Sequence, residues 1–393
     1  MNSEKNRIIR TLKMELPQGQ TAFLWGPRKT GKSTFLKSQF PKSLYFDLLD
    51  SDLYFRWSKR PALFREEILA LPETTLNHPI IIDEVQRVPE LLNEIHWLIE
   101  NSKAYFILCG SSARKLKKAD TNLLGGRAWR FAFFPLVYTE IPDLDLLQVF
   151  QKGLVPSHYL GSHPERALTA YIHDYLHHEI QMEGLVRHLP DFSRFLSSFA
   201  YSNGELTNFS NIARDCGIDS KTVKAYYQIL VDTLLGYFVL PFTQKQSRKV
   251  LSEMPKFYLF DVGVAHFLSQ KTILSLKGSE AGKAFEHYIL TELMAYKHLH
   301  EKRFDICFWR TRSGLEVDFI LGNAQIAIET KITETVQKQD LKGLIAFLQD
   351  FPNAKAIVVS LDPRPRLVST PAGTIQILPW RQFLQALWED KIY

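Results

Sequence analysis

Cysteine is scarce in this chain of 393 residues: only Cys109, Cys216 and Cys307 occur, far apart. That spacing excludes a disulfide scaffold and a cysteine-rich zinc site, and nothing in it argues against a reducing compartment. Long apolar runs are missing too. None approaches the ~18 residues that would suggest a membrane span. The opening MNSEKNRIIRTLKMEL carries charge throughout and lacks the apolar stretch of a signal peptide. Internal repeats and low-complexity tracts are also lacking. A cytoplasmic protein with no membrane contact is the expectation. Charge excess is small, 48 Lys plus Arg against 42 Asp plus Glu. That balance permits an anionic partner such as nucleic acid without demanding one.

What is present is an ordinary globular mixture, 45% hydrophobic and 23% charged, long enough for two or three domains with cores of their own. Up to about residue 155, short apolar runs alternate with helical stretches: Thr21–Trp25, Ser43–Asp47, Pro79–Asp83 and Ala104–Gly110. Runs of that kind are strands buried on both faces, so a doubly wound parallel α/β sheet is expected over 1–155. Residues 156–255 read as helices with a short hairpin near Gly236–Pro241. Residues 256–393 are mixed, with strands at 304–310, 315–321, 325–330 and 355–360 and a helix over 280–298.

Gly26-Pro27-Arg28-Lys29-Thr30-Gly31-Lys32-Ser33, followed by Thr34, fits G-x-x-x-x-G-K-[ST] between a predicted strand and a predicted helix. Glycines let backbone N–H groups curl around a polyphosphate, and the helix N-terminus adds positive potential. Lys32 would reach the outer phosphates of ATP and Ser33 would bind Mg²⁺. About fifty residues on, Ile80-Ile81-Ile82-Asp83-Glu84 delivers two acids to a strand end. Asp83 would hold Mg²⁺ through water and Glu84 would polarise the attacking water. Ser111, after the fourth strand, either contacts the γ-phosphate or caps a helix. Arg127 either neutralises charge on the transferring phosphoryl group, in cis or from a neighbouring subunit of a homo-oligomer, or is a plain surface arginine.

These features resemble the AAA superfamily of P-loop ATPases. More narrowly, they resemble the bacterial and archaeal ATP-binding proteins whose C-terminal domain was long of unknown function. Arg10, GPRKTGKST, IIIDEVQRVP, GSSARKL, LLGGRAWRF and FPLVYTEI follow that pattern in order, with Cys109-Gly110 departing from a frequent Thr-Gly.

Asn211 to Tyr227 reads as two helices around a turn at Gly217, the second capped by Asp219 or Ser220. Ile218, Val223, Tyr227 and Leu230 form its apolar stripe, leaving Lys221, Thr222 and Lys224 to face DNA. Arg187, Arg194 and Arg214 would add cations. The segment is similar to the winged helix of the same family, with Leu235–Leu240 as the wing hairpin. Winged helices also serve as packing modules. His173, His177 and His178 lack an obvious further ligand in sequence and read as a helix face rather than a metal site.

Towards the C-terminus, Asp318 lies on one strand and Glu329 and Lys331 share a face of the next. Glu286 lies on the preceding helix, with Phe285, Ile289 and Leu293 facing inward. Such carboxylates are hard ligands for Mg²⁺ or Mn²⁺, and Lys331 would orient a metal-activated water or bind phosphate. The ordered set resembles the PD-(D/E)xK restriction-endonuclease-like superfamily, here with Val317-Asp318 in place of Pro-Asp. The resemblance implies a nuclease fold, kept either for cutting DNA or for binding and assembly. Three functions are therefore open: an ATP-driven DNA-processing enzyme with a metal-dependent nuclease centre, a non-cutting regulatory or scaffold ATPase, or a pure nucleotide sensor with slow turnover.

Overall fold

The computed structural model describes residues 8–112, 124–176, 189–243 and 254–393. They form two compact units. One comprises Met1–Leu136 with Asp232–Leu235, the other Val137–Val231 with Gly236–Tyr393.

The first unit is built on five parallel strands: β1 (Thr21–Trp25), β2 (Tyr45–Asp47), β3 (Ile80–Asp83), β4 (Phe106–Gly110) and β5 (Ala128–Ala132). They lie in the order β2-β3-β4-β1-β5, all pairs parallel. Every residue of β3 and β4 is buried, which is why both strands are apolar without alternation. The fifth strand was not expected. It is a half-exposed edge strand whose Trp129 and Arg130 lie open to solvent, so it lacks the continuous apolar signal of its neighbours. Helices α1 (Lys32–Gln39), α2 (Ser51–Lys59), α3 (Ala62–Leu69) and α4 (Leu91–Asn101) flank the strands. Asp50 starts α2 by accepting the Asp52 and Leu53 N–H groups. Trp57, Phe64, Ile82, Leu98 and Phe106 share one core cluster.

The second unit carries an eight-stranded mixed sheet. Its strands are β6 (Gly236–Pro241), β7 (Lys256–Leu259), β8 (Ile306–Arg310), β9 (Glu316–Leu321), β10 (Ile326–Lys331), β11 (Lys355–Ser360), β12 (Arg366–Thr370) and β13 (Gly373–Pro379). The order is β12-β13-β11-β10-β9-β8-β6-β7. β9 and β10 run antiparallel and β10 and β11 parallel. Helices α5 (Leu189–Tyr201), α6 (Phe209–Cys216), α7 (Ser220–Asp232), α8 (Gly278–Leu299), α9 (Lys342–Asp350) and α10 (Trp380–Trp388) belong to this part of the chain. The N-terminal end of α9 presses on β9: a Cβ on Gly343 would lie 1.9 Å from the Glu316 carbonyl oxygen.

The hairpin after α7 differs from the expected free wing. β6 pairs antiparallel with β7, but Leu240 and Pro241 also pair in parallel with β8. The hairpin is thus the margin of the large sheet. Among the described residues, no helix is long and apolar enough to cross a membrane.

Candidate nucleotide site and C-terminal acidic cluster

The nucleotide loop follows from where β1 ends. Gly26 packs against the chain after β5, and a Cβ there would lie 2.3 Å from the Phe133 carbonyl oxygen. Only glycine fits without moving backbone. Gly31, at φ 96°, turns the chain into α1. Thr30 stitches the loop by donating to the Pro27 carbonyl at 2.8 Å. Arg28 is half-buried, whereas Lys29, Ser33 and Thr34 are exposed. Lys32 is 5% exposed, and its ammonium turns onto its own loop, donating to the Gly26 and Pro27 carbonyls at 2.8 and 2.9 Å.

Parallel pairing of β1, β3 and β4 brings the acids to the same end of the sheet. The Ser33 hydroxyl donates to Asp83 Oδ2 at 2.6 Å, and the Tyr45 hydroxyl donates to the same oxygen. Burial works against the charge of Asp83, but these hydroxyl donors outweigh it and hold the carboxyl below its usual range. An ionised carboxylate beside a hydroxyl is the hard-oxygen pair that fits Mg²⁺ alongside nucleotide phosphates.

Glu84 adopts a left-handed backbone, φ 56°. That region is uncommon for residues other than glycine, asparagine and aspartate. Its carboxylate accepts from Gln86 Nε2 at 2.5 Å, and Arg28 lies 3.8 Å away. Gln86 also donates to Ser111 Oγ at 3.1 Å, so Ser111 and Glu84 are joined through one buried amide.

Arg127 is not brought to this site. It immediately precedes β5, whose first residue pairs with Thr21, the first residue of β1. Gln20 Nε2 donates to the Arg127 carbonyl at 3.0 Å, and the Arg127 guanidinium pairs with Glu100. The nucleotide loop leaves the opposite end of β1, about 13 Å further on at the rise per residue of a strand. The geometry does not support the expected role in cis; a neighbouring-subunit role and a plain surface arginine both remain.

Three residues here have no role in the sequence reading, although Arg10 opens the family pattern and Gln86 lies within IIIDEVQRVP. Arg10 donates to the Thr30, Phe134 and Pro135 carbonyls at 2.7, 2.7 and 3.1 Å and stacks over Phe133. Tyr45 and Gln86 are the others. Gln86 lies two residues beyond the acid pair, a spacing that could have flagged it; Arg10 reaches partners too distant in sequence to leave a local signal.

The helix-turn-helix forms as expected. Gly217 is left-handed at φ 66°, and Asp219 caps α7 by accepting the Lys221 and Thr222 N–H groups at 2.8 and 3.0 Å. Val223, Tyr227 and Leu230 are buried, and Lys221 and Lys224 are exposed. Thr222 is half-buried and its hydroxyl is bonded to Asp219. Arg194 and Arg214 are engaged with Asp191 and Asn211. Arg187, His177 and His178 lie outside the described residues.

The C-terminal carboxylates gather as expected, but not around a metal-shaped gap. β9 and β10 part after the Phe319–Ile328 pair, and Asp318 Oδ2 accepts both the Thr330 N–H and its hydroxyl at 2.7 Å. Glu329 Oε1 accepts from Lys331 at 2.6 Å. Glu286, on α8, accepts from Lys256 at 2.8 Å and from the Tyr258 hydroxyl at 2.5 Å. The same Lys256 ammonium lies 2.5 Å from Glu316. Burial, followed by the nearby Glu286 charge, pushes Asp318 up to about 6. Burial and Asp318 push Glu329 well above its usual range. Burial opposes the charge of Lys256, yet its acid neighbours, Glu286 first, keep it well above the usual lysine value. Among the described residues, no group of three His, Cys, Asp or Glu could hold a metal ion. The expected Mg²⁺ or Mn²⁺ centre of Glu286, Asp318 and Glu329 gains no support from this arrangement. Lys256 carried no sequence signal beyond being one cation ahead of an apolar run.

Residues 18–142 match the family described as AAA domain. Residues 144–275 and 281–383 match two domains of unknown function, DUF8612 and DUF4143. The first unit, with its parallel sheet and phosphate loop, is thus similar to AAA domains over the matched residues. No curated protein matches the sequence. Among solved structures, the chain is similar to the Orc1 protein of Aeropyrum pernix in complex with DNA. Identity is 12%, covering 65% of this chain and 87% of that one, at a TM-score of 0.29. It is also similar to a STAND (signal transduction ATPase with numerous domains) protein with a tetratricopeptide repeat sensor from Pyrococcus horikoshii. Here identity is 13%, with 72% and 46% covered and a TM-score of 0.19.

Proposed function

We propose that the chain is an ATP-hydrolysing switch that engages DNA and does not cut it. The observation that carries the ATPase half is the bond between Ser33 and Asp83, set beside Lys32 and Glu84. In this reading residues 1–155 are the ATPase domain, 156–255 a helical and helix-turn-helix segment, and 256–393 a nuclease-like fold serving binding or assembly.

The phosphate chain of ATP lies against the loop Gly26–Thr34, whose N–H groups and Lys32 take its negative charge. Lys32 leaves the Gly26 and Pro27 carbonyls to do so. Ser33 and Asp83 would hold Mg²⁺, which when bound neutralises phosphate charge. Glu84 accepts the proton of the attacking water, and Ser111 positions that water or the γ-phosphate. Arg127, paired with Glu100 here, would act on the nucleotide of a neighbouring subunit if it acts on one at all. Lys221 and Lys224, exposed near the start of α7, face the DNA backbone or base edges, with Thr222 beside them.

The non-cutting half is supported by the two lysines that already occupy the C-terminal carboxylates. Two assays test the whole reading. ATP turnover should vanish in Lys32→Ala and Glu84→Gln; normal turnover in either would overturn the site. Labelled single-stranded, duplex and branched DNA should survive wild-type protein with Mg²⁺ or Mn²⁺, with and without ATP. Cleavage that Asp318→Ala abolishes would restore the nuclease.

A further inference from the structure

The C-terminal cluster looks like a place prepared for a cation. Glu286 comes from α8, Glu316 and Asp318 from β9, and Glu329 from β10. Glu329 is 6% exposed, and its Oε2 is buried without a hydrogen-bond partner. Left to themselves, carboxylates so placed repel one another and call for positive charge among them.

We propose that Lys256 is the resident cation on the Glu286 and Glu316 side of this cluster, its ammonium taking carboxylate oxygens that a divalent ion would need and so keeping metal out. The inference rests on the non-cutting reading above and deepens it. Lys256 begins β7, the edge strand, and its side chain is 5% exposed. It passes the ring of Phe308, 5.5 Å from its centroid, and bonds Glu286 on one side and Glu316 on the other. An ammonium offers three donors, and here two go to carboxylates and the third side faces an aromatic ring. Lys331 takes Glu329 and Arg310 takes the other oxygen of Glu316. A divalent ion entering this arrangement would meet three fixed positive charges and would have to displace at least one of them.

The substitution of ion by ammonium also has a structural result. Lys256 and Tyr258 of β7 both hold Glu286, so the edge of the sheet is pinned to α8. A metal centre would make that link only when loaded. The lysine makes it permanently, which suits a domain used for binding rather than turnover.

The experiment is Mn²⁺ binding to the full-length, nucleotide-free chain, followed by loss of the free-ion electron paramagnetic resonance signal, together with thermal melting. The wild type should show no uptake that Asp318→Asn removes. Lys256→Gln should melt lower than wild type and bind Mn²⁺ at least about tenfold more tightly than wild type. Mn²⁺ should restore much of its lost melting temperature. Adding Asp318→Asn to Lys256→Gln should abolish both gains. Wild-type uptake that depends on Asp318 would overturn the proposal, as would a folded Lys256→Gln that gains no ion. If Lys256→Gln does not fold, the wild-type titration decides alone. DNA cleavage by wild type would overturn the non-cutting reading itself. Asp318-dependent Mn²⁺ uptake without cleavage would overturn the resident cation and leave that reading standing.

Discussion

The Arg10 guanidinium donates to the carbonyl of Thr30 at 2.7 Å while its other amino group holds the carbonyls of Phe134 and Pro135. One side chain ahead of β1 thereby fixes the phosphate loop to the chain leaving β5. The loop is held in position before any nucleotide arrives. That arrangement lowers the ordering cost of binding ATP.

Replacing Arg10 should therefore weaken nucleotide binding more than chemistry. Each charge-assisted bond to a carbonyl is worth about 1.5–3 kcal/mol, and part of that is lost from loop order. Arg10→Gln is expected to raise the KM for ATP about tenfold while changing kcat less. Steady-state ATPase kinetics read both numbers. An unchanged KM would mean that the loop orders itself without this anchor.

Tyr45 acts on a different term. Its hydroxyl donates to Asp83, and with Ser33 it keeps the carboxyl ionised despite burial. In Tyr45→Phe one of those donors is gone, so the Asp83 pKa should rise. The acidic limb of the ATPase pH profile should then move to higher pH, with the rate near neutrality changing less. A profile identical to wild type would remove Tyr45 from any role in setting Asp83.

How far the sequence carries to these conclusions depends on the range over which each feature is encoded. The strands β1, β3 and β4 are buried on both faces, so their apolar runs are self-evident. The loop Gly26–Ser33 and the cap at Asp219 are local, each fixed by a few neighbouring residues. Glu329 and Lys331 could be placed on one face because strand side chains alternate, and Asp318 on the strand before it. What failed to show was long-range. Lys256 meets Glu286 thirty residues on, and Arg10 meets Phe134 at a separation of 124. β5 is half-exposed at a sheet edge, so nothing in its composition sets it apart from a loop. The metal expectation draws on residue types alone. Counting carboxylates says nothing about which cation the fold has already delivered to them.

Glu292 gives a pH dependence with a definite sign. It lies on α8, 1% exposed, and accepts the Tyr138 N–H at 2.9 Å and Trp388 Nε1–H at 2.8 Å. Burial, opposed by these bonds and aided by the charge of Glu140, pushes its carboxyl from an ordinary 4.5 up to about 8. Between those values the folded chain holds a proton that the unfolded chain has lost. Stability from this group is therefore greatest below pH 4.5 and falls as the pH rises towards 8, at most about 1.4 kcal/mol per pH unit. Glu292→Gln, which keeps an acceptor and a neutral charge, should flatten that slope and be the more stable protein at pH 9. Denaturant titrations at several pH values compare the two. Parallel stability curves would show that Glu292 ionises freely in the folded state.

DNA engagement is tested by its salt dependence, because phosphate contacts release counterions. Lys221 and Lys224 stand exposed near the start of α7, with the capped turn at Asp219 aiming that end outward. If both neutralise phosphates, replacing them with alanine should weaken binding to duplex DNA of any sequence. It should also make the slope of log K against log salt shallower by about two. The fold has no cause to suffer, since neither side chain is buried. Fluorescence anisotropy at several salt concentrations gives the slope for each protein. Equal slopes with equal affinities would take α7 off the DNA. The helix-turn-helix would then be a packing element, and any contact with nucleic acid would have to come from another face.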